Sequence, residues 1–384
     1  LTEQTRNAHP SAAIGNPGDV VRVMVVDDSA VVRGLITRML EEEPDIKVVS
    51  SVGNGQLAVN SLTRTEVDTI VLDIEMPVMD GLTALPKLLE VDKNAKIIMA
   101  STLTLRNAEI SIKALQAGAA DYVPKPSSSR ELSGGVDFRH DLIEKVRNLG
   151  RLRKQLRGPG SANRQPQAAA APRPAMPKPA APKVVLRDAS SARPDVLAIG
   201  SSTGGPQALL TLLKGIGPNP RVPICITQHM PATFTAVLAD HISRATGLTC
   251  AEGKNGETLE PGRVYLAPGN FHMLVERDGP RNVIRLNDGP PENYCRPAVD
   301  PMLRSLAKIF GSRLLTAILT GMGADGMKGG QQVTAAGGTV IAQDEATSVV
   351  WGMPGAVATN GLCSAVLPLP QMAPFINRMI GKAG

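Results

Sequence analysis

The sequence predicts an α/β protein: two doubly wound parallel-sheet domains joined by a Pro/Ala-rich linker. Short apolar runs rich in β-branched residues alternate with amphipathic helical stretches along both halves, the pattern of a parallel sheet covered on both faces. Polar or glycine-rich turns follow the carboxyl ends of those runs, where wound sheets place their chemistry. One segment, Arg164–Lys183 (RQPQAAAAPRPAMPKPAAPK), breaks the alternation. Its only large apolar side chain is Met176, so it cannot bury enough surface to offset its ordering entropy and reads as an extended spacer. The boundaries that follow are a tail over 1–19, a first domain over 20–156, a linker over 157–192 and a second domain over 193–384.

The 384 residues allow two or three domains of about 100–200 residues each. The net charge is +6, but nine Lys/Arg and no acidic residue lie between Arg147 and Lys183; subtracting those nine leaves −3. The basic excess belongs to that one segment rather than to a folded basic face. With 2% aromatic residues there are also few platforms for base stacking, which argues against nucleic-acid binding. Cys225, Cys250, Cys295 and Cys363 are far apart with no C-x-x-C pair, which excludes a disulfide framework and a Cys-based zinc site and suits a reducing compartment. No apolar stretch approaches the ~18–20 residues of a membrane span, so no membrane insertion is expected. Leu1–Asp19 lacks the basic start and apolar core of a leader and reads as a polar tail on a cytoplasmic protein.

In the first domain strands are expected at Val21–Val26, Lys47–Val52, Thr69–Leu72, Lys96–Ala100 and Asp121–Val123. Helices are expected at Val31–Glu42, at Leu82–Val91, up to about Ala117 and from about Val136. Asp27 and Asp28 follow the first strand, Asp73 the third, Ser101 the fourth and Lys125 the fifth. Three carboxylates converging at one rim repel one another unless a cation sits between them. An all-oxygen set of this kind suits a hard ion such as Mg²⁺, which commonly bridges to phosphoryl oxygens. The Ser101 hydroxyl and the Lys125 ammonium then suit the remaining oxygens of a phosphoryl group. Asp80, beside Gly81, reads as a turn former.

VVDDSA (Val25–Ala30), LDIEMPVMDG (Leu72–Gly81), MAST (Met99–Thr102) and DYVPKP (Asp121–Pro126) resemble the receiver domain of two-component response regulators. The resemblance implies that Asp73 is the phosphoryl acceptor and that Asp27 and Asp28 help it bind Mg²⁺. It also implies that Ser101 is the switch hydroxyl, Lys125 the phosphate-sensing lysine and Tyr122 the switch aromatic, with a histidine kinase as phosphodonor.

In the second domain the run Asp195–Ile199 leads into Gly200–Pro206 (GSSTGGP) and a helix-like stretch, Gln207–Lys214. Such a turn either cradles a phosphate on free N–H groups or presents a serine nucleophile, since Gly200–Gly204 spells G-x-S-x-G. No lysine occupies the Walker position and G-x-G-x-x-G is absent, so the nucleotide reading is the poorer one. A serine nucleophile needs a base and a carboxylate that orients it. Of the three histidines in this domain, His241 lies in a helix-like stretch and His272 opens a hairpin strand. His229 alone stands at a strand's carboxyl end, after Pro223–Gln228. Asp325 is the only carboxylate in Gly321–Gly330, which follows the buried run Leu314–Thr320. Ser202, His229 and Asp325 are therefore expected at one rim of one sheet, linked by hydrogen bonds. Ser201 and Thr203 compete with Ser202 as nucleophile, but an elbow turns the central serine outward. The order Ser…His…Asp differs from that of the α/β-hydrolases.

AIGSSTGGPQAL (Ala198–Leu209), ITQHMP (Ile226–Pro231), YLAPGNFHM (Tyr265–Met273), NDGPPENYCRPAVD (Asn287–Asp300), ILTGMGADG (Ile318–Gly326) and AQDEATSVVWGMP (Ala342–Pro354) resemble the catalytic domain of the chemotaxis methylesterases. Behind a receiver, this implies a phosphorylation-regulated hydrolase of bacterial chemotaxis. Such an enzyme demethylates glutamate methyl esters on chemoreceptors, deamidates specific receptor glutamines and so serves sensory adaptation. The resemblance assigns nucleophile, base and orienting acid to Ser202, His229 and Asp325, and implies no cofactor for the ester chemistry. N–H groups at Gly321–Gly323 or near His229 are the expected oxyanion donors. Two other readings, a DNA-binding output and a scaffold with a decayed esterase, fit less well: the folded part lacks a basic face, and all three catalytic residue types are present.

Overall fold

Five β-branched segments pair side by side to form the first sheet: β1 (Val21–Val26), β2 (Ile46–Val52), β3 (Thr69–Asp73), β4 (Lys96–Thr102) and β5 (Asp121–Lys125). All four pairings are parallel, in the order β2-β1-β3-β4-β5. The computed structural model describes residues 20–125, 136–157 and 184–381; the expected tail over 1–19 and most of the expected linker lie outside the described residues. The first sheet is flanked by α1 (Ala30–Glu41), α2 (Gly55–Leu62), α3 (Gly81–Val91), α4 (Leu105–Gln116) and α5 (Val136–Arg157). Four of these begin on a side-chain cap: Ser29, Asn54, Asp80 and Thr104 each accept a hydrogen bond from an N–H three residues on. Asp80, expected as a turn former, is thus the N-cap of α3. The sequence reading did not anticipate α2, whose eight residues are too few to display a helical period. Its first residue must be glycine, because a Cβ on Gly55 would lie 2.6 Å from Ala84 Cβ and 2.8 Å from the Met79 carbonyl.

The second sheet has seven parallel strands: β6 (Val196–Ser201), β7 (Ile224–Gln228), β8 (Thr249–Glu252), β9 (Arg263–Leu266), β12 (Leu314–Ile318), β13 (Thr339–Gln343) and β14 (Ala365–Leu367). Their order is β14-β13-β12-β6-β7-β9-β8, and β10 (His272–Asp278) pairs with β11 (Arg281–Asn287) as a separate antiparallel hairpin. The accompanying helices are α6 (Gly205–Ile216), α7 (Ala232–Thr246), α8 (Val299–Phe310), α9 (Met327–Ala335), α10 (Met353–Thr359) and α11 (Leu369–Met379). The central strands β6, β7, β12 and β13 are buried along their whole length, which is why they read as continuous apolar runs rather than as an alternation. From β6 the chain winds outward through β7 to β8 and β9, then returns to β12 on the other side of β6. That reversal makes the carboxyl ends of β6 and β12 a topological switch point, where wound sheets open a crevice.

The domains are in contact. The Tyr122 ring, on β5, stacks on Phe234 of α7 with centroids 4.3 Å apart. Gln207 Nε2 on α6 donates to the carbonyls of Leu115 and Ala119 at 2.9 and 3.1 Å. Residues just before the second domain also fold onto it, although composition places them in the linker. The Arg187 N–H donates to the Cys363 carbonyl at 3.0 Å and the Ser190 N–H to Thr339 Oγ1 at 2.9 Å.

Candidate active site

Ser202, His229 and Asp325 arrive at one place because their strands are neighbours. Gly200 of β6 pairs with Thr227 of β7 and with Ile318 of β12, so the turns after all three strands leave the sheet at the same level. The Ser202 N–H donates to the Thr320 carbonyl at 3.1 Å and the His229 N–H to the Ser201 carbonyl at 3.1 Å, which ties the three turns together.

His229 Nε2 lies 2.7 Å from Asp325 Oδ2. Asp325 is buried and its carboxylate is surrounded by donors: the Val299 N–H at 2.6 Å, the Asp300 N–H at 3.0 Å, the Gly326 N–H at 3.0 Å and Asn293 Nδ2 at 2.8 Å. Two of these belong to the first turn of α8, where the helix dipole favours a negative charge. Burial works against an ionised Asp325, but His229 and these N–H groups outweigh it and hold the carboxyl below its ordinary range. For His229, burial works against the imidazolium, while the flanking Cys295 and Asp325 outweigh burial and hold the ring well above its ordinary value.

The other ring nitrogen departs from the sequence expectation. His229 Nδ1 faces Cys295 Sγ at 3.3 Å, so both nitrogens are engaged and, among the described residues, no hydrogen bond joins the ring to Ser202. The expected chain of hydroxyl, imidazole and carboxylate is present in its second link only. Ser202 is part-exposed, whereas its two competitors face inward: Ser201 is fully buried and donates to Gln228 Oε1 at 2.7 Å, and Thr203 is buried as well. Two expected oxyanion donors are also engaged. The Gly321 N–H donates to the Val350 carbonyl at 3.0 Å, and the His229 N–H is held by Ser201. Among the described residues the Met322 and Gly323 N–H groups of that turn have no acceptor.

Several residues at this site carried no sequence signal of their own. Asn293, Cys295 and Asp300 all lie in a stretch quoted above for its resemblance. Among the four cysteines only Cys295 is not fully buried, a distinction the sequence does not display.

On the first sheet, Asp27, Asp28 and Asp73 offer carboxylate oxygens within 4.8 Å of one another. Lys125 Nζ bridges two of them, 2.6 Å from Asp27 Oδ2 and 2.7 Å from Asp73 Oδ1. Burial pushes Asp73 up to about 6, against the opposing pull of the Lys125 ammonium. Ser101 is buried nearby, but its hydroxyl pairs with Ser111 of α4 at 3.1 Å rather than with the carboxylates. Tyr122 points away from the acidic rim into the domain contact with Phe234.

An acidic rim on one parallel sheet, with a glycine-rich serine turn and a His229–Asp325 pair at the switch point of a second, suits a receiver joined to a hydrolase. Residues 23–137 match the response regulator receiver domain family, and residues 197–376 match the CheB methylesterase family. The chain is 59% identical over 379 residues to protein-glutamate methylesterase/protein-glutamine glutaminase 1 of Paramagnetospirillum magneticum, covering 96% of this chain and all of that one. The protein of the same name in Rhodospirillum rubrum is 55% identical over 386 residues, covering 98% and 99%. Among solved structures, the CheB methylesterase catalytic domain of Thermotoga maritima is 39% identical, covers 49% of this chain and all of that one, and superposes with a TM-score of 0.48. The chain belongs to the protein-glutamate methylesterase/protein-glutamine glutaminase family of chemotaxis response regulators, and it is an enzyme of that class. No helix among the described residues is long and apolar enough to cross a membrane.

Proposed function

We propose that this chain hydrolyses glutamate methyl esters on chemoreceptors through Ser202, His229 and Asp325, under control of phosphorylation at Asp73. The observation that carries the reading is the 2.7 Å contact between His229 Nε2 and a buried, multiply hydrogen-bonded Asp325, one strand away from a part-exposed serine in a glycine turn. An ionised carboxylate only accepts hydrogen bonds, so Nε2 carries a proton and donates it to Asp325. The basic nitrogen is then Nδ1. Ser202 Oγ attacks the ester carbonyl while Nδ1 takes its proton, and the imidazolium returns that proton to the departing methoxide. Water repeats the cycle on the acyl-enzyme and releases glutamate. The Met322 and Gly323 N–H groups suit the oxyanion, an interaction worth roughly 3–4 kcal/mol per donor. Attack on a glutamine amide passes through the same tetrahedral chemistry, with ammonia leaving.

Receiver domains typically bind Mg²⁺ for phosphorylation, and the all-oxygen set Asp27, Asp28 and Asp73 fits such a hard ion. When bound, it neutralises charge on the incoming phosphoryl group. Asp73 accepts that group, supplied by a histidine kinase, and Lys125 is placed to exchange its carboxylate contacts for phosphoryl oxygens. Regulation is supported by where the receiver lies: β5, α4 and α5 contact the segments that carry the hydrolase residues. Asn148 Nδ2, for example, lies 2.9 Å from Met322 Sδ. Methanol release from methylated receptor membranes, with and without a small phosphodonor and Mg²⁺, tests the whole reading. Release that requires Ser202 and rises with the phosphodonor is expected; release that persists in Ser202→Ala overturns the nucleophile assignment.

A further inference from the structure

The nitrogen that must take the Ser202 proton is the one that Cys295 occupies. Cys295 closes a tight loop, Glu292–Cys295, held by two reciprocal backbone hydrogen bonds of 3.1 and 2.9 Å. Within it Asn293 and Tyr294 are in the left-handed region, at φ of 52° and 62°. Two in succession make a two-residue type I′ turn, which asparagine suits at its first position, while tyrosine at the second costs about 1–2 kcal/mol unless its surroundings hold it. The surroundings here are functional on both sides. Asn293 Nδ2 holds Asp325 Oδ1 and also Asp300 Oδ2, the latter at 3.1 Å, while Cys295 Sγ holds His229 Nδ1. Between them Tyr294 points outward, 85% exposed, and its ring meets His140 of α5 with centroids 5.1 Å apart. A four-residue loop therefore touches the receiver with one side chain and the proposed base and acid with its two neighbours. Glu292 anchors the loop's other end through two contacts to Arg304 of α8, at 2.8 and 2.5 Å.

Cys295 differs from the other cysteines in a way that suits this position. Cys225, Cys250 and Cys363 are buried among apolar side chains, and burial pushes each of those thiols up to about 12. Cys295 is only partly buried and has a polar partner.

We propose that Glu292–Cys295 is a latch that keeps the esterase idle: Cys295 occupies Nδ1 of His229, and the receiver holds the latch through the His140–Tyr294 contact. The latch deepens the regulation proposed above and rests on the assignment of Ser202, His229 and Asp325. Undocking the receiver frees Tyr294, the loop relaxes, and Nδ1 becomes available to the serine hydroxyl. The block is chemical and acts at the base, so it changes turnover rather than substrate binding.

The test is methanol release from methylated receptor membranes by the full-length chain, with and without acetyl phosphate and Mg²⁺. Cys295→Ala is expected to raise the basal kcat several-fold at unchanged KM, and to reduce the stimulation by acetyl phosphate by the same factor. Cys295→Ser keeps a hydrogen-bonding group of shorter reach and is expected to fall between Ala and the parent. Tyr294→Ala leaves the thiol in place but removes the receiver's hold, and is expected to raise basal kcat as well. A basal kcat for Cys295→Ala equal to or below the parent's overturns the latch, and so does a change confined to KM. If Cys295→Ala does not fold, Cys295→Ser and Tyr294→Ala decide by the same criterion. A rise in Cys295→Ala without one in Tyr294→Ala overturns the receiver's part in it. Ser202→Ala in the same series separates the two readings, because methanol release persisting there removes the nucleophile assignment whatever the latch variants do.

Discussion

Asp300 and Asp325 each cap the helix that begins beside the other. Asp325, just ahead of α9, accepts the Val299 and Asp300 N–H groups in the first turn of α8. Asp300, in that same turn, accepts the Gly326 and Gly329 N–H groups at the start of α9, at 3.0 and 2.6 Å. The crossed caps fix the turn that presents Asp325 to His229. They also put two carboxylates side by side, and burial together with the Asp325 charge raises Asp300 above its ordinary value. Asp300→Ala is expected to lower stability by about 1–3 kcal/mol, since it leaves the buried Gly329 N–H without an acceptor, while the Gly326 N–H keeps its second bond to Asp325 Oδ1. Thermal denaturation reads this effect. Methanol release by the folded fraction should fall too, and parent-like values of both would show that Asp325 needs no such support.

Ser202→Ala is expected to reduce methanol release by at least about a thousandfold while leaving the melting temperature unchanged, because among the described residues the hydroxyl has no hydrogen-bond partner. Ser201→Ala should do the reverse. It loses a buried bond to Gln228, costs about 1 kcal/mol in stability and retains most of the turnover. If the two phenotypes were exchanged, the nucleophile would be Ser201.

A base must be neutral to accept a proton, and His229 is held well above the ordinary 6.5 by Cys295 and Asp325 despite its burial. The acid limb of the kcat/KM profile for the unphosphorylated chain is therefore expected above pH 6.5. The same shift has a sign for stability. A folded-state value above the unfolded one contributes stabilisation that is complete below about 6.5 and disappears as pH rises through the folded value. A pH–rate profile whose acid limb falls at or below 6.5 would show that the ring is not held in its charged form.

Gln207→Ala removes two hydrogen bonds between α6 and the receiver, worth about 0.5–1.5 kcal/mol each, and touches no proposed catalytic group. If docking suppresses turnover, basal methanol release should rise by up to about tenfold and stimulation by a phosphodonor should shrink. An unchanged basal rate would indicate that this contact does not restrain the enzyme.

A second domain begun at Val184 is expected to melt higher than one begun at Pro194. The longer form keeps the Arg187–Cys363 and Ser190–Thr339 bonds and the two contacts of Arg193 with the Ile380 carbonyl. The difference should be about 1–3 kcal/mol, readable by denaturant titration. Equal midpoints would place 184–193 in the linker after all.

Much of this was legible before any coordinates. The buried strands announce themselves because a strand covered on both faces is apolar throughout, and strand ends in a wound sheet are where polar residues collect. Asp27, Asp73, Lys125, Ser202, His229 and Asp325 could all be found by that rule. The short helix α2 and the caps on Asp80 and Asp300 could not. The first is too brief to show a period, and a cap is defined by which N–H groups lie within reach, a matter of three-dimensional position.

By itself, then, the sequence determined which strands lie inside and which residue types stand at their ends. These follow from local apolar burden and from chain punctuation. Only the tertiary structure decided that His229 turns one nitrogen to Asp325 and the other to Cys295, that Asp300 and Asp325 exchange caps, and that Tyr294 meets the receiver. Each of those facts depends on a distance of about 3–5 Å between segments dozens of residues apart. Local chemistry does not encode such distances, because they are set when two sheets and their helices pack at once.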